Sequence, residues 1–445
     1  MFKKKQKILI VGLIVISIFI IGPRLIPQLQ SAFDRGYEQI KILIDIIGYV
    51  KANYVEEVET KNLIYGAASG MVRVLDPFSQ FMEPDVHKEM KIETEGKFGG
   101  LGIRIAIRDK WLTVITPIPG TPAYREGIMP NDKIIEIEGK STKDITLQEA
   151  VKQLRGKPGT KVNITVAREG NDDSMKFVIT REWINIKSVV SKMLEDSVGY
   201  VRLIEFSKNT GIDMNKAIKE LSSKGMRGLV LDLRNNPGGL LYVAVDVCKE
   251  FLGNGKLIVY TQGRDPNDRK DFTAEGDALM PDIPLAVLVN SGSASGSEIV
   301  AGALQDHKRA IIIGSETFGK ASVQSVIPLT DGSGLRLTTA RYYTPSGRSI
   351  HRNEETGKGG ITPDIIVEID NETEIKLRAQ NELIYAKDKN PKSQVKEEEK
   401  VQDIVLNRAR EILKAKLIFD SINSKPDNKS QTSKDIESKE EPQKK

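Results

Sequence analysis

The pattern of hydrophobic and polar residues divides the chain into regions with different periods. Between residues 33 and 96, apolar side chains recur at helical spacing, with Ile40, Leu43 and Ile47 on one face. From 97 to 182 the spacing changes to the alternation of short strands. The predicted elements there are the strands Gly102–Ile107, Trp111–Ile115, Lys133–Ile137 and Lys161–Ala167, with a helix over Leu147–Leu154. A helical region followed by a small, mainly β domain is therefore expected.

Residues 183–370 alternate buried-type strands with amphipathic helices. The predicted strands are Tyr200–Phe206, Gly228–Leu233, Leu285–Val289 and Ala310–Ile313, and the helices are Met214–Leu221, Leu240–Phe251 and Ser295–Gln305. This order predicts parallel pairing and an α/β core. Ligands of such sheets bind beyond the carboxyl ends of the strands, so the loops at that edge are the place to look for chemistry.

The amino terminus carries a lysine cluster, which includes Lys3, Lys4, Lys5 and Lys7, followed by an uncharged and almost wholly apolar run. We interpret residues 8–22 as a transmembrane signal-anchor, because no small-x-small cleavage motif follows the run directly. A cleaved signal peptide and a buried helix are the alternatives. Positive flanks stay in the cytoplasm, so a single-pass protein of the cell membrane with its main part extracytoplasmic is expected.

At the other end, residues 371–420 are charged but keep a helical stripe, which predicts a helix over Val401–Ile418. Residues 421–445 hold almost no apolar side chains, and a disordered tail is predicted there. The helical regions at both ends are candidates for a homodimer contact. Packing within their own chain is the alternative.

Composition narrows the choice of function. A chain of 445 residues with 39% apolar residues suits several folded domains. A formal net charge of +5 is too small to argue for a nucleic-acid partner. The single cysteine, Cys248, excludes an internal disulfide.

A glycine-rich stretch stands before the first strand of the β region. It comprises Gly99, Gly100, Leu101, Gly102 and Ile103. Consecutive backbone N–H groups in such a stretch can form a nest for an anion, and the carboxylate at the end of a peptide is a natural ligand. An ordinary tight turn is the alternative.

Two loops of the α/β core carry groups suited to hydroxyl chemistry. Ser295 follows a buried strand and opens a helix, where the dipole and the Gly296 N–H favour a developing anion. The loop 234–239 can offer the Gly239 N–H as a second donor. Ser295-x-x-Glu298 is equally a helix capping box, and the loop is equally an ordinary Asn-Pro-Gly turn.

A base for this hydroxyl is needed, and none of the three histidines lies in a recognisable triad motif. Lys320 lies in an apolar, strand-like setting, where burial favours the neutral amine that a base requires, and Gln324 could orient it. A solvated lysine is the alternative. Together the two segments suggest a serine hydrolase with a lysine base.

The stretch Gly314–Lys320 also matches a phosphate-binding loop, G-x-x-x-x-G-K. Ala321 then replaces the Mg²⁺-binding Ser or Thr, and a strand follows in place of a helix. A nucleotide is therefore not expected. No metal-ligand cluster appears in the sequence, so no cofactor is predicted.

These motifs, in this order, resemble those of the carboxyl-terminal processing peptidases, or tail-specific serine proteases, over residues 37–370. The resemblance rests on Leu75–Ser79, Leu231–Gly239, the serine and lysine segments and Ala340–Gly347. The glycine-rich stretch, Pro119–Ala123 and Asn131–Ile134 resemble a PDZ domain. The resemblance implies an α/β multidomain protein: a crotonase-like protease core at 183–370, an inserted PDZ domain at 97–182, a helical N-terminal region at 33–96 and the transmembrane helix.

The same resemblance implies roles for individual residues. Ser295 would be the nucleophile, Lys320 the general base and Gln324 its orienting partner, with Gly239 and Gly296 as oxyanion donors. The glycine-rich stretch would bind the substrate's C-terminus. Two departures are visible: glycine in place of the more usual alanine at 296, and a longer, more charged segment over His351–Lys358, expected to be a surface loop.

The function so implied is a membrane-anchored serine endopeptidase that captures protein C-termini and uses a Ser-Lys dyad, without metal or nucleotide. The main alternative is an extracytoplasmic PDZ scaffold whose protease-like core is inactive. An enzyme of acyl thioesters is a third class, but it leaves the PDZ region and the membrane segment unexplained.

Overall fold

The structure is a computed structural model. It describes residues 38–118, 120–171, 173–185, 187–353, 355–370, 372–374, 376–377, 380 and 401–423. The expected anchor at 8–22 lies outside these residues. The chain forms two compact units, of which the first holds residues up to Glu83 together with Ile327–Leu337, and the second holds Pro84–Val326 and the chain from Thr338 onward.

The helices are α1 (38–53), α2 (Thr60–Arg73), α3 (Pro84–Glu95), α4 (Pro122–Arg125), α5 (Leu147–Leu154), α6 (Thr210–Ser223), α7 (Leu241–Lys249), α8 (Gly296–Asp306) and α9 (Ile404–Asn423). The strands are β1 (Gln80–Met82), β2 (Lys97–Gly100), β3 (Ile103–Arg108), β4 (Trp111–Pro117), β5 (Lys133–Ile137), β6 (Lys140–Ser141), β7 (Lys161–Ala167), β8 (Met175–Thr180), β9 (Glu182–Asn185), β10 (Val189–Met193), β11 (Val198–Leu203), β12 (Gly228–Asp232), β13 (Leu257–Gln262), β14 (Lys270–Thr273), β15 (Leu285–Val289), β16 (Ile311–Gly314), β17 (Ser322–Pro328), β18 (Gly334–Tyr343) and β19 (Ile365–Ile366).

The first unit consists of α1, α2, β1 and the hairpin that joins β17 to β18. β1 pairs antiparallel with the start of β18, where Phe81 lies opposite Leu335. No residue of α2 is buried, and two of its apolar side chains, Ile64 and Met71, are exposed. Across the residues that the structure describes, no helix combines the length and the apolar character that crossing a membrane requires.

The β region of the second unit is an antiparallel sheet in the order β3-β4-β5-β7-β8, with β6 beside β5. The predicted strands Lys133–Ile137 and Lys161–Ala167 and the helix Leu147–Leu154 are confirmed at both ends. Alternate side chains of the strands, such as Ile134 and Ile164, form its core. β3 is the edge strand of this sheet, so one of its sides has no strand partner among the residues that the structure describes.

The α/β core is a six-stranded sheet in the order β10-β11-β12-β15-β16-β19. All pairs from β11 to β19 are parallel, which confirms the prediction, and only β10 runs antiparallel. Alternation along the strands gives the sheet two apolar faces. One face packs on α6, α7 and α8, and the other packs on α9 through Val405, Ala409 and Leu413.

Parallel pairing decides where the functional loops lie. Asp232 of β12 is the register partner of Leu288 in β15, and Val289 is the partner of Gly314 in β16. The three strands therefore end at one edge, and the loops 233–240, 290–295 and 315–321 leave the sheet side by side.

The domain limits and the crotonase-like relationship stay predictions. α9 runs to Asn423, and the rest of the stretch 421–445 lies outside the described residues.

Candidate active site

Ser295 occupies the turn between β15 and α8 in a conformation that side chains rarely adopt. Its φ is 54° and its ψ is −111°. A non-glycine residue persists there only when its surroundings fix it, and such strain clusters at functional sites. The strand, strained serine and helix also resemble the sharp strand-to-helix turn that exposes the nucleophile in α/β-hydrolases.

The other serines of this turn have different surroundings. The Ser293 hydroxyl donates to the Leu233 carbonyl at 2.8 Å, and the Ser297 hydroxyl donates to the Asn236 carbonyl at 2.9 Å. Both side chains are buried, whereas Ser291 is exposed and Ser295 is half-buried. The hydroxyls of Ser293 and Ser297 thus bind backbone carbonyls of the neighbouring loop. Composition alone could not distinguish these two serines from Ser295.

The loop 234–239 packs directly against the Ser295 turn. The Asn236 carbonyl accepts the Ala294 N–H at 3.0 Å. A Cβ at Gly238 would lie 2.7 Å from the Ser295 Cβ, so only glycine allows this approach. Among the described residues, neither the Gly239 N–H nor the Gly296 N–H donates to a protein acceptor. Two donors beside the serine are thereby available to an anion.

Glu298, one turn into α8, connects the Ser295 turn to the loop 315–321, which carries Lys320 and is called the lysine loop below. Its Oε2 accepts the Ser295 N–H at 2.8 Å and the Lys320 N–H at 2.9 Å. Its Oε1 accepts the Gly319 N–H and the Thr317 hydroxyl, both at 2.6 Å. The capping box foreseen at Ser295 is thus only part of its role, because the same carboxylate also binds a loop that is distant in sequence.

Burial shifts the titration of the groups around Glu298. Desolvation raises the pKa of Glu298, although its hydrogen bonds, the Thr317 hydroxyl first, lower it in part. Burial and then the Glu298 charge raise the pKa of Tyr342 well above its usual value. The Tyr342 hydroxyl donates to the Lys320 carbonyl, and its N–H donates to the Ala321 carbonyl at 2.9 Å. The backbone on both sides of the Lys320 side chain is therefore held.

Lys320 and Gln324 come at the start of the strand that leaves this loop. Lys320 is half-buried two residues before β17, and Gln324 is half-buried within it. The fold thus brings Ser295, Gly296, Gly239 and the Lys320 backbone to one edge of the sheet. Their catalytic roles stay predictions at this point.

The glycine-rich stretch at 99–103 lies apart, at the start of the edge strand β3. The Leu101 carbonyl accepts the Ala123 N–H at 3.0 Å, and the Gly102 carbonyl accepts the Ile118 N–H at 2.8 Å. A trans peptide points its N–H opposite its carbonyl, so the N–H groups of Gly102 and Ile103 point away from these partners. Two consecutive donors therefore precede an open strand edge.

A second buried carboxylate, Asp232, lies directly before the loop 234–239. Asp232 accepts hydrogen bonds from the Arg234 guanidinium and from the Tyr200 hydroxyl at 2.7 Å. The guanidinium also binds both oxygens of Asp403, just before α9, at 2.9 and 2.8 Å. Burial opposes ionisation of Asp232, but the Arg234 charge prevails and lowers its pKa. Within the described residues, no group of three or more His, Cys, Asp and Glu side chains could hold a metal ion.

Several of these residues escaped the sequence analysis. No local sequence pattern indicates that Glu298 contacts the lysine loop. Tyr342 stands out in the sequence only as part of the longer motif Ala340–Gly347. The segment over His351–Lys358 was expected to be a surface loop. Its exposed residues agree with that, but its Arg352 contacts the lysine loop directly.

Comparisons with known proteins define the class. The family model for Peptidase family S41 matches residues 197–367, and the PDZ domain model matches residues 89–167. A third model, the activating protease CtpB N-terminal domain, matches residues 28–86. The core that carries Ser295 is thus an S41 protease core joined to a PDZ domain.

Relatives extend the match over most of the chain. The carboxy-terminal-processing protease of Bartonella bacilliformis is 45% identical over 339 residues, which are 75% of this chain and 76% of the relative. The carboxyl-terminal-processing protease of a Synechocystis species is 40% identical over 347 residues, covering 76% and 78%. Among solved structures, the photosystem II D1 C-terminal processing protease shares 33% identity, with a TM-score of 0.43, over 72% of this chain and 85% of that one.

The chain belongs to the carboxyl-terminal processing proteases of peptidase family S41. It is a serine-type endopeptidase, and the family resemblance drawn from its motifs is confirmed.

Proposed function

We propose that this enzyme is anchored in the cell membrane, captures protein C-termini through its PDZ domain and cleaves peptide bonds with a dyad of Ser295 and Lys320. Gln324 orients the lysine amine. The Gly239 and Gly296 N–H groups stabilise the oxyanion.

One observation supports the dyad above all others. Although Ser295 and Lys320 are distant in sequence, the Glu298 carboxylate accepts the N–H of both at a single oxygen. The carboxylate is fully buried, so this junction is shielded from water. A nucleophile and a base must be held in register for proton transfer, and this junction provides such a constraint.

The chemistry then proceeds by acyl transfer. The neutral Lys320 amine takes the proton from the Ser295 hydroxyl as its oxygen bonds to the peptide carbonyl carbon. The resulting oxyanion accepts hydrogen bonds from the Gly239 and Gly296 N–H groups and is stabilised by the positive end of α8. When the carbon–nitrogen bond breaks, the lysine returns its proton to the leaving amine. Water, deprotonated by the same lysine, hydrolyses the acyl-enzyme.

Substrate capture is assigned to the PDZ domain. The outward N–H groups of Gly102 and Ile103 suit a terminal carboxylate, and the open edge of β3 suits an added peptide strand. Membrane attachment is assigned to residues 8–22 on their composition, with the catalytic part extracytoplasmic. A homodimer through the terminal helical regions stays a prediction.

The dyad is tested with the full chain purified in a mild detergent and incubated with an unfolded protein, without added metal or ATP. We expect peptide fragments from the parent enzyme. Ser295→Ala and Lys320→Ala should each lower kcat by at least about 10³-fold, because both residues act in the same step. Mass spectrometry of the products gives the readout.

Two exposed positions provide matched controls: Ser291→Ala in the same turn and Lys256→Ala in the same core. Both should cleave at the parent rate. Full activity of Lys320→Ala would contradict the lysine base. Inactive parent protein, even with added C-terminal peptides, would favour the scaffold interpretation.

A further inference from the structure

The lysine loop is also held from its outer side, by Arg352. The guanidinium donates to the Thr317 carbonyl at 2.7 Å and to the Phe318 carbonyl at 2.9 Å. The Arg352 N–H donates to the Gly319 carbonyl at 2.9 Å. Three consecutive carbonyls immediately before Lys320 thus bind one residue.

Arg352 is itself held by the segment that follows it, because its guanidinium also donates to the Gly357 carbonyl at 2.5 Å. The Asn353 N–H donates to the Lys358 carbonyl, and the Gly357 N–H donates to the Asn353 carbonyl, both at 2.8 Å. The Asn353 side chain accepts the Thr356 N–H at 2.8 Å. Beyond the segment, the Ile361 N–H donates to the Thr317 hydroxyl at 2.7 Å. The chain therefore contacts the lysine loop at the start of this segment, through Arg352, and again just after the segment, through Ile361.

The two sides of the loop have complementary charge. On the inner side an anion, Glu298, accepts the N–H groups of Gly319 and Lys320. On the outer side a cation donates to the carbonyls of residues 317 and 318. Hydrogen bonds to charged partners are shorter and stronger than those between neutral groups, so both sides fix the loop backbone.

We propose that Arg352 is a positioning residue that holds the Lys320 loop against the Ser295 turn. This inference rests on the proposed role of Lys320 as the base. Arg352 touches backbone carbonyls of the loop, and its side chain is 35% exposed. Its loss should therefore leave the fold intact and act on the chemical step.

The test uses full-chain Arg352→Ala and Arg352→Lys with a fluorogenic peptide in detergent. We expect kcat to fall about 5- to 30-fold in Arg352→Ala with KM within about twofold, because bound substrate no longer meets a fixed base. Lysine keeps the positive charge but lacks the planar guanidinium that donates to two carbonyls at once, so the fall in kcat should be smaller in Arg352→Lys. The melting temperature of each variant is measured alongside.

Arg348→Ala is the matched control. It lies four residues earlier, is similarly exposed, and binds Asp306 and Gln305 at the far end of α8. Its kcat should equal that of the parent. Parent-like kcat in Arg352→Ala, or a loss of kcat that is equal in Arg352→Lys and follows a fall in melting temperature, overturns the proposal.

The failure of this proposal and that of the dyad can be distinguished. If Lys320→Ala is inactive and Arg352→Ala is fully active, only the positioning role is wrong. If Lys320→Ala is active, the base itself is wrongly assigned.

Discussion

Glu298 and Asp232 are both buried carboxylates near the same edge of the sheet, yet their partners differ in kind. Asp232 binds a guanidinium that Asp403 also holds, so its charge is compensated. In the described part of the chain, Glu298 accepts hydrogen bonds from three backbone N–H groups and one hydroxyl, all of them uncharged. Their pKa values shift accordingly, downward for Asp232 and upward for Glu298.

The different partners of the two carboxylates indicate different roles: Asp232 stabilises the fold, whereas Glu298 holds the loops of the site together. An ion pair with bidentate geometry ties α9 to the sheet, and breaking it leaves a buried charge. A buried carboxylate with uncharged donors costs free energy, but it can bind N–H groups of two neighbouring loops at once and fix the position of one loop against the other. We therefore expect Asp232 to matter chiefly for stability and Glu298 chiefly for activity.

The largest expected effect is on stability. Asp232→Asn removes the charge that faces the Arg234 guanidinium, and breaking a buried pair costs about 3–5 kcal/mol. The lower end applies, since Asp403 still pairs with the arginine. The free energy of unfolding is measured by chemical denaturation followed by tryptophan fluorescence. An unfolding free energy equal to that of the parent would remove the contrast between the two carboxylates.

Glu298→Gln should act on catalysis. In this variant an NH₂ group replaces one carboxylate oxygen, to which two hydrogen-bond donors point. About two hydrogen bonds are therefore lost, at roughly 1–1.5 kcal/mol each. We expect kcat/KM to fall about 30- to 100-fold, with a smaller change in stability than Asp232→Asn causes.

Glu250→Gln serves as the matched control, because Glu250 is another partly buried carboxylate of the same unit. It lies directly after α7, its Oε1 accepts the Asn215 side-chain N–H at 2.8 Å, and burial raises its pKa as well. Its kcat/KM should stay within about threefold of the parent. A loss as large as that of Glu298→Gln would mean that exchanging a partly buried carboxylate, and not breaking the junction between the two loops, lowers the activity.

The smallest effect, a pH dependence, sharpens the comparison further. The pKa of Asp232 is lowered by folding, so its stabilising contribution is present above the unfolded value of about 3.9 and is lost as the pH falls through the folded value. The pKa of Glu298 is raised, so its contribution is present below about 4.3 and is lost as the pH rises through the folded value.

The difference in unfolding free energy between the parent and each variant should consequently change with pH, in opposite directions for the two variants. For Asp232→Asn it shrinks as the pH is lowered, and for Glu298→Gln it shrinks as the pH is raised. Denaturation series between pH 3 and pH 7 measure both. Slopes of the same sign would show that the two carboxylates do not differ in the way their partners suggest.

Much of the fold could be predicted because local patterns carry it. Apolar alternation predicted the limits of Lys133–Ile137, and a continuous apolar run predicted those of Leu285–Val289. The order of strands and helices predicted the parallel sheet. Parallel strands end together, so the convergence of the serine and lysine loops followed from topology. Ser295 could be separated from its neighbouring serines only by the resemblance, because their hydroxyls differ in tertiary contacts alone.

The contacts that hold the loops together could not be predicted. Glu298 looks like a helix cap in the sequence, and only the folded backbone brings Gly319 and Lys320 to its other lone pairs. Arg352 lies in a charged, polar segment whose composition indicates solvent exposure. Its proposed positioning role depends on the direction of three carbonyl groups, and periodicity contains no information about that direction.

The most direct test of the dyad is to trap the acyl-enzyme. The full chain is quenched in acid during turnover of a peptide substrate, digested and examined by mass spectrometry for an acyl group on Ser295. We predict the adduct in the parent and in Lys256→Ala, and its absence in Lys320→Ala. An adduct on another residue, or equal acylation of Ser295 without Lys320, would contradict the account.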